Sequence, residues 1–439
     1  MMNASKPRTP ILGAVLLLAA GTAVRAQEAG GTKPAYTLPE YNAYKSCTDM
    51  TAAAAKAKCL EDFTKSDQNP ALMIYAYPVA YQTYSELKNY AKVIEFVDKT
   101  LALGDKVDLG TRYEALYQRT VAYNNLPSPD PAQVAKAHQA ALDGLAALNE
   151  LKKPDNMDAN TFADKKKPVA IQFNTTAGTT AMAMKDYPGA VQAFKAVLAL
   201  ESDNPVANYN LGRAYLGMNP PQQMDAFWAI ARAVGSKKTT EQQVKQLQPY
   251  LRNLLVNYQQ PNCENLVDAE LNELVQLASS SPERPASYNI PSTTDLQNAA
   301  KGMTIASVLS DLKAGGDKAK LTWLAACGLE FPNVPGKAIE VTPETGYVDL
   351  QVAFATSDAE FEAAKTADMD VKVVGQPEAA RVEKDSLVQF TATLASYDPS
   401  PFVVHWDKGS VNKENIPAEK TPPKHPPAHH APPHHSPSQ

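Results

Sequence analysis

A glycine recurs after 34 residues in matched surroundings. Gly178 lies in Thr175-Thr176-Ala177-Gly178-Thr179-Thr180-Ala181, and Gly212 lies in Tyr209-Asn210-Leu211-Gly212-Arg213-Ala214-Tyr215. Each stands in a helical pattern that carries on to a turn and a second helix. A period of that length belongs to helical hairpins that stack. A lone hairpin cannot bury its apolar face, so neighbours must pile onto it, and the pile offers an extended concave surface suited to binding. The recurrence therefore points to a scaffold or adaptor before any other residue is considered.

The residues after Gly178 fill out the unit. Tyr187 precedes a second helix that has Ala190 early, Phe194 four residues later and Val197 beyond it, and Asn204-Pro205 opens the next unit. This run resembles the tetratricopeptide repeat. The following copy matches at Leu211, Gly212, Tyr215, Ala226, Ile230 and Ala233, after a two-residue insertion at Asn219-Pro220-Pro221, and it lacks the aromatic of the second helix. Small residues let antiparallel helices approach closely, and aromatics fill the gap between successive hairpins. The best repeats are 171–204 and 205–236, with degenerate units near 74–103 and 110–150 and capping helices at about 239–257 and 264–279.

The resemblance implies a mainly α fold, a tetratricopeptide-like α-solenoid over 39–279, and a partner held in its groove. The first helix of each hairpin would line that groove. Gln172, Thr175, Thr179 and Met182 would do so in one repeat, and Tyr209, Asn210, Arg213 and Leu216 in the next. Tyr209 is expected as an apolar anchor, and Arg213, with Asn210 beside it, as the group that meets a carboxylate. The family's carboxylate-clamp pattern of lysines and asparagines over three repeats is not present.

The ends of the chain read differently. Lys6 and Arg8, the apolar run Ile11 to Ala20 and the small-residue site Val24-Arg25-Ala26 form a secretory signal over 1–26, followed by a polar lead-in over 27–38. The protein is thus expected to be exported, periplasmic or secreted. The whole chain carries a net −5, and the leader holds basic residues but no acids, so the remainder is more acidic still. That balance disfavours nucleic acid and anionic membrane, which select basic patches. No later apolar run approaches the roughly 18–20 residues of a spanning helix.

In an oxidising compartment four cysteines permit three pairings. Cys47 and Cys59 would lie about 18 Å apart on one straight helix, so they can bridge only if the chain turns at Thr48-Asp49-Met50-Thr51. Cys263 and Cys327 are expected as free buried thiols, the latter packed as a small hydrophobe in Leu321–Leu329.

Residues 280–334 read as a linker with a helical segment, and 335–416 as a small β-rich domain, a barrel or sandwich. Val348, Leu350, Val352 and Phe354 alternate with Tyr347, Asp349, Gln351 and Ala353, and further strands are expected at 369–374, 387–394 and 402–406. Tyr397-Asp398-Pro399 is expected as a turn, and Ser357 to Glu360 as the capped start of a short helix. The set of elements resembles the oligonucleotide/oligosaccharide-binding barrel. From 417 to 439 the chain holds eight prolines and five histidines, an extended tail with no means of forming a core. His425, His429, His430, His434 and His435 could bind a transition metal weakly.

Catalytic chemistry finds little support. His138 lies in an alanine-rich helix and His405 on a strand, neither beside a nucleophile motif. Gly315-Gly316-Asp317-Lys318 lacks the phosphate-loop pattern and reads as a helix stop, with Asp317 capping the next helix. The sequence thus describes an exported non-enzymatic adaptor for a protein or peptide partner, without cofactor. The competing reading is a cell-envelope structural protein whose β domain or tail contacts cell-wall polymer or metal.

Overall fold

The computed structural model describes residues 35–66 and 70–419. The expected leader and the tail histidines lie outside them. Among the described residues two compact units are present: those from 35 to 251 with 272–288, and 252–271 with 289–419.

The first unit is built from helical hairpins. Its helices are α1 Leu38–Thr48, α2 Ala53–Ser66, α3 Pro70–Glu86, α4 Tyr90–Leu101, α5 Leu109–Asn124, α6 Pro131–Glu150, α7 Ala159–Ala183, α8 Tyr187–Leu200, α9 Pro205–Gly217 and α10 Gln223–Gly235. Two more follow, α11 Glu241–Gln259 and α12 Asn265–Ser280. Side chains of Asn89, Asp108, Asp130, Asp158, Asp186 and Asn204 each accept a backbone N–H at the start of a helix. Each such cap is worth about 1 kcal/mol and fixes where the chain re-enters a helix.

Consecutive helices pack on each other, and α1, α3, α5, α7 and α9 also touch in succession. That second set of contacts is what makes the array a stack. Gly178 and Gly212 occupy matching places in it. A Cβ on Gly178 would sit 2.7 Å from the Phe194 ring on α8, and one on Gly212 would sit 2.5 Å from Ile230 on α10. Earlier in the stack, Phe173 is fully buried and receives Tyr113 and Tyr117 edge-on. Aromatic filling therefore continues into the units whose sequence pattern is degenerate. Successive cores, one over residues 47–126, one joining α5, α6 and α7, and one over 181–229, run along the array.

The second unit centres on a closed barrel of strands β1 Glu330–Glu344, β2 Tyr347–Phe354, β3 Met369–Val374, β4 Leu387–Pro399 and β5 Phe402–Val411, ordered β1-β2-β3-β5-β4. All pairings are antiparallel except β3 with β5. Trp406, Phe390, Leu350, Val371 and Val388 fill its interior, joined by Val308, Leu309 and Leu312 from a covering helix. Helices α13 Thr293–Ala300, α14 Ile305–Ala314 and α15 Gly316–Ala326 precede the barrel, and α16 Asp358–Ala363 links β2 to β3.

Several expectations change. Cys263 and Cys327 are not free thiols: they form a disulfide with Cα atoms 6.0 Å apart, bridging a separation of 64 residues. Folding alone brings them together, so their spacing gave no hint. Cys47 and Cys59 are also bridged, because the chain turns between α1 and α2. Helix α7 starts at Ala159, ahead of the repeat expected from 171, and carries Pro168 inside it. The Asp158 cap nucleates the helix a few turns earlier, and Pro168 removes just one hydrogen bond.

Of the capping helices expected at 239–257 and 264–279, residues up to 251 and from 272 group with the first unit, and 252–271 with the second. Strand β1 starts at Glu330, ahead of the boundary expected at 335, and β4 runs through Tyr397-Asp398-Pro399, leaving the turn to Ser400-Pro401. Gly315, at φ 72°, does stop α14, but Asp317 falls in the first turn of α15 and does not cap it. Ser357 does cap α16.

Candidate functional site

In the first unit a cleft of about 460 Å³ opens between α7 and α9. Thr179, Met182 and Ala183 line it from α7, Tyr187 from the start of α8, and Asn210, Arg213, Leu216 and Gly217 from α9. The 34-residue period explains this meeting, since it brings equivalent faces of two first helices side by side. Gly217 lets the wall close: a Cβ there would sit 2.2 Å from the Tyr187 ring.

Five of the eight expected groove residues come together here: Thr179, Met182, Asn210, Arg213 and Leu216. The other three stand apart from the cleft. Thr175 and Gln172 lie one and two turns before Thr179 on α7, where Gln172 donates to Thr176 at 3.4 Å. Tyr209 faces Tyr250 edge-on, 6.0 Å between ring centroids, and lies beside Arg213. The guanidinium of Arg213 is 5.7 Å from the Tyr209 ring centroid, a cation–π distance. Burial raises the Tyr250 hydroxyl above its ordinary value, with Tyr209 adding to the shift and Arg213 opposing it.

Arg213 is exposed. Asn210 spends its Nδ2 on the Val206 carbonyl at 2.9 Å, and Thr179 donates its hydroxyl to the Thr176 carbonyl at 3.1 Å. Their remaining oxygens can accept. The cleft therefore presents a cation, two acceptors and the apolar bodies of Met182, Leu216 and Tyr187. Such a set can hold an extended polar backbone with one acidic and one apolar group.

Ala183, Tyr187 and Gly217 were not foreseen as lining residues, although Tyr187 was visible as a packing aromatic. A second cleft of about 230 Å³, lined by Leu101, Gly104, Arg112, Leu116 and Asp143, had no sequence signal at all. His138 bonds Thr180 at 2.9 Å and joins α6 to α7. His405 sits between Asp370 and Asp398 on the barrel surface. Among the described residues no three His, Cys, Asp or Glu side chains are grouped to hold a metal ion, and no helix is long and apolar enough to cross a membrane.

Comparison with known proteins adds three findings. The tetratricopeptide repeat family profile matches residues 181–223. Among solved structures, the chain is similar to a thermophilic TPR protein of Thermus thermophilus, with 19% identity over 49% of this chain and 99% of that one and a TM-score of 0.24. It is also similar to the TPR2AB-domain:pHSP90 complex of yeast Sti1, with 13% identity over 56% of this chain and 98% of that one and a TM-score of 0.20. No curated protein matches the sequence. The family profile thus marks a tetratricopeptide repeat at 181–223, set in an array of stacked helical hairpins that a small C-terminal β-barrel follows.

Proposed function

We propose that this chain is an exported, non-enzymatic adaptor that holds a segment of a protein or peptide partner in the cleft between α7 and α9. The observation that carries the reading is the exposed Arg213, braced by Tyr209 and set beside Asn210, Met182 and Leu216 in one cleft. A stack of hairpins devotes its fold to surface. The segment would place an acidic or carbonyl oxygen on Arg213 and an apolar side chain against Met182 and Leu216. Export is supported by the leader-like residues 1–26 and by two disulfides, which persist in oxidising compartments and are rare elsewhere.

The test is capture of native partners by the full chain and by Arg213→Glu. Reversing a charge at the rim of an interface is expected to weaken binding about tenfold and to flatten its salt dependence. Unchanged capture of every native partner removes the cleft from the account. Fractionation of the source cells tests export separately, and recovery of the chain in the cytosol with reduced cysteines would refute it.

A further inference from the structure

The outer face of the barrel carries four groups that share protons. His405 on β5 bonds Asp370 on β3 through Nδ1 at 2.9 Å and Asp398 on β4 through Nε2 at 3.0 Å. Asp349 on β2 lies diagonally across the β2–β3 ladder from Asp370, and the two carboxyl groups interact. Strand alternation produces this arrangement. Leu350, Val371, Val404 and Trp406 point into the core, which turns their neighbours Asp349, Asp370 and His405 outward. Asp370 and His405 are register partners in the β3–β5 ladder, the one parallel pairing among the described strands.

Simple proton counting constrains the network. A neutral imidazole has one N–H, so bonds from both ring nitrogens to carboxylates require the imidazolium. Two carboxyl groups share a hydrogen bond only while one of them keeps its proton. The bonds at His405 thus need the imidazolium, and the nearness of Asp370 favours a proton on Asp349.

Its surroundings are acidic. Strand β1 brings Glu340 and Glu344 alongside β2, and Asp407 lies two residues beyond His405. Of the cations, Lys372 is the register partner of Asp349, with its ammonium 4.8 Å from the Tyr347 ring centroid, and Lys408 follows three residues after His405. Asp368, at the start of β3, is already paired with Lys313. Burial, then the bond and charge of Asp370, then Glu344 and Glu340, push the Asp349 carboxyl up to about 7. At His405 burial favours the neutral ring, but the bonds to Asp398 and Asp370 outweigh it and raise its proton affinity.

We propose that this network is a pH-operated latch: with both protons in place it ties β2, β3, β5 and β4 across the outer face, and their loss loosens the β3–β5 seam. Parallel ladders are slightly weaker per residue than antiparallel ones, so this seam is where a surface tie counts most. Both groups hold their protons more tightly folded than unfolded. The Asp349 contribution is full below its ordinary 3.8 and is lost as pH rises through about 7. The His405 contribution is full below its ordinary 6.5 and is lost as pH rises above that value.

Amide exchange by mass spectrometry on the full chain at pH 6.0, 7.0 and 8.5, corrected for intrinsic rates, reads the seam directly. Opening of peptides covering β3 and β5 should rise about tenfold from the lowest to the highest pH, after allowance for solvent screening, while α8 and α9 stay unchanged. Asp349→Asn should hold the seam at pH 8.5 nearer to its state at pH 6.0. His405→Gln should open it at every pH, and the double variant should lose the pH response. A flat wild-type profile would overturn the latch, as would a double variant that keeps the full response. Should His405→Gln fail to fold, Asp349→Asn alone decides, because an unaltered pH response in it also rejects the proposal.

Discussion

Gly178→Ala tests the packing on which the repeat depends. The new methyl would lie 2.7, 2.8 and 3.0 Å from three ring carbons of Phe194. Carbon atoms settle at about 3.5–4.0 Å, so the ring would have to retreat by roughly 0.7 Å. Phe194 is fully buried, which leaves it nowhere to go without moving α8. Overpacking of that kind costs about 1–3 kcal/mol, while replacing a mid-helix glycine by alanine returns about 1 kcal/mol of helix propensity. The net expectation is a loss of up to about 2 kcal/mol, read as faster amide exchange across α7 to α10 in the full chain. Gly212→Ala should cost more, because its methyl would also lie 2.9 Å from the Ala226 carbonyl oxygen, and backbone cannot swing aside. Phe194→Leu should rescue Gly178→Ala in part, giving a coupling of about 1 kcal/mol between the two sites. Greater protection in Gly178→Ala than in the wild type would refute the close approach of α7 and α8, and with it the matched role of the two glycines.

Other consequences are direct. Replacing Cys263 and Cys327 by serine opens a loop of 64 residues and should destabilise the second unit by about 2–4 kcal/mol in urea unfolding; no change, or peptide mapping that pairs these cysteines otherwise, would contradict the disulfide. Glu61 accepts from the Tyr84 hydroxyl at 2.6 Å and from Lys65 and Lys92 at 2.9 Å, and these bonds hold its carboxyl down at about 2. Its stabilising effect is complete above the ordinary 4.5 and is lost as pH falls through about 2. Glu61→Gln should therefore cost about 1–2 kcal/mol at neutral pH, with screening allowed for, and should unfold in acid with a shallower profile than the wild type. Parallel acid-unfolding curves followed by circular dichroism would dismiss that role.

Much of the first unit was legible because its signals are local. Gly178, Tyr187, Ala190 and Phe194 announce one hairpin and its stacking partner, and aspartates and asparagines mark where helices start. The α7 start was missed because Pro168 looks like a boundary, whereas a helix already nucleated at Asp158 tolerates it. The candidate cleft was partly legible. Thr179, Met182, Asn210, Arg213 and Leu216 follow from the repeat register, but Tyr209 turns toward Tyr250, which belongs to a helix outside the pattern. Strand β1 was largely missed, since Pro335 and Gly336 break the alternation on which strand reading relies.

The amino-acid order by itself determined the hairpin period, the glycine contacts, the alternation of β2 and the split between a helical and a β-rich region. Each depends on residues within one or two turns or within one repeat, where spacing along the chain equals spacing in space. Tertiary structure decided the rest: the pairing of Cys263 with Cys327, the closure of five strands through β3 and β5, and the meeting of Asp349, Asp370, Asp398 and His405 from four separate strands. Those groups are distant in the chain and become neighbours only when burial of the barrel core fixes the register, so no local pattern could have announced them.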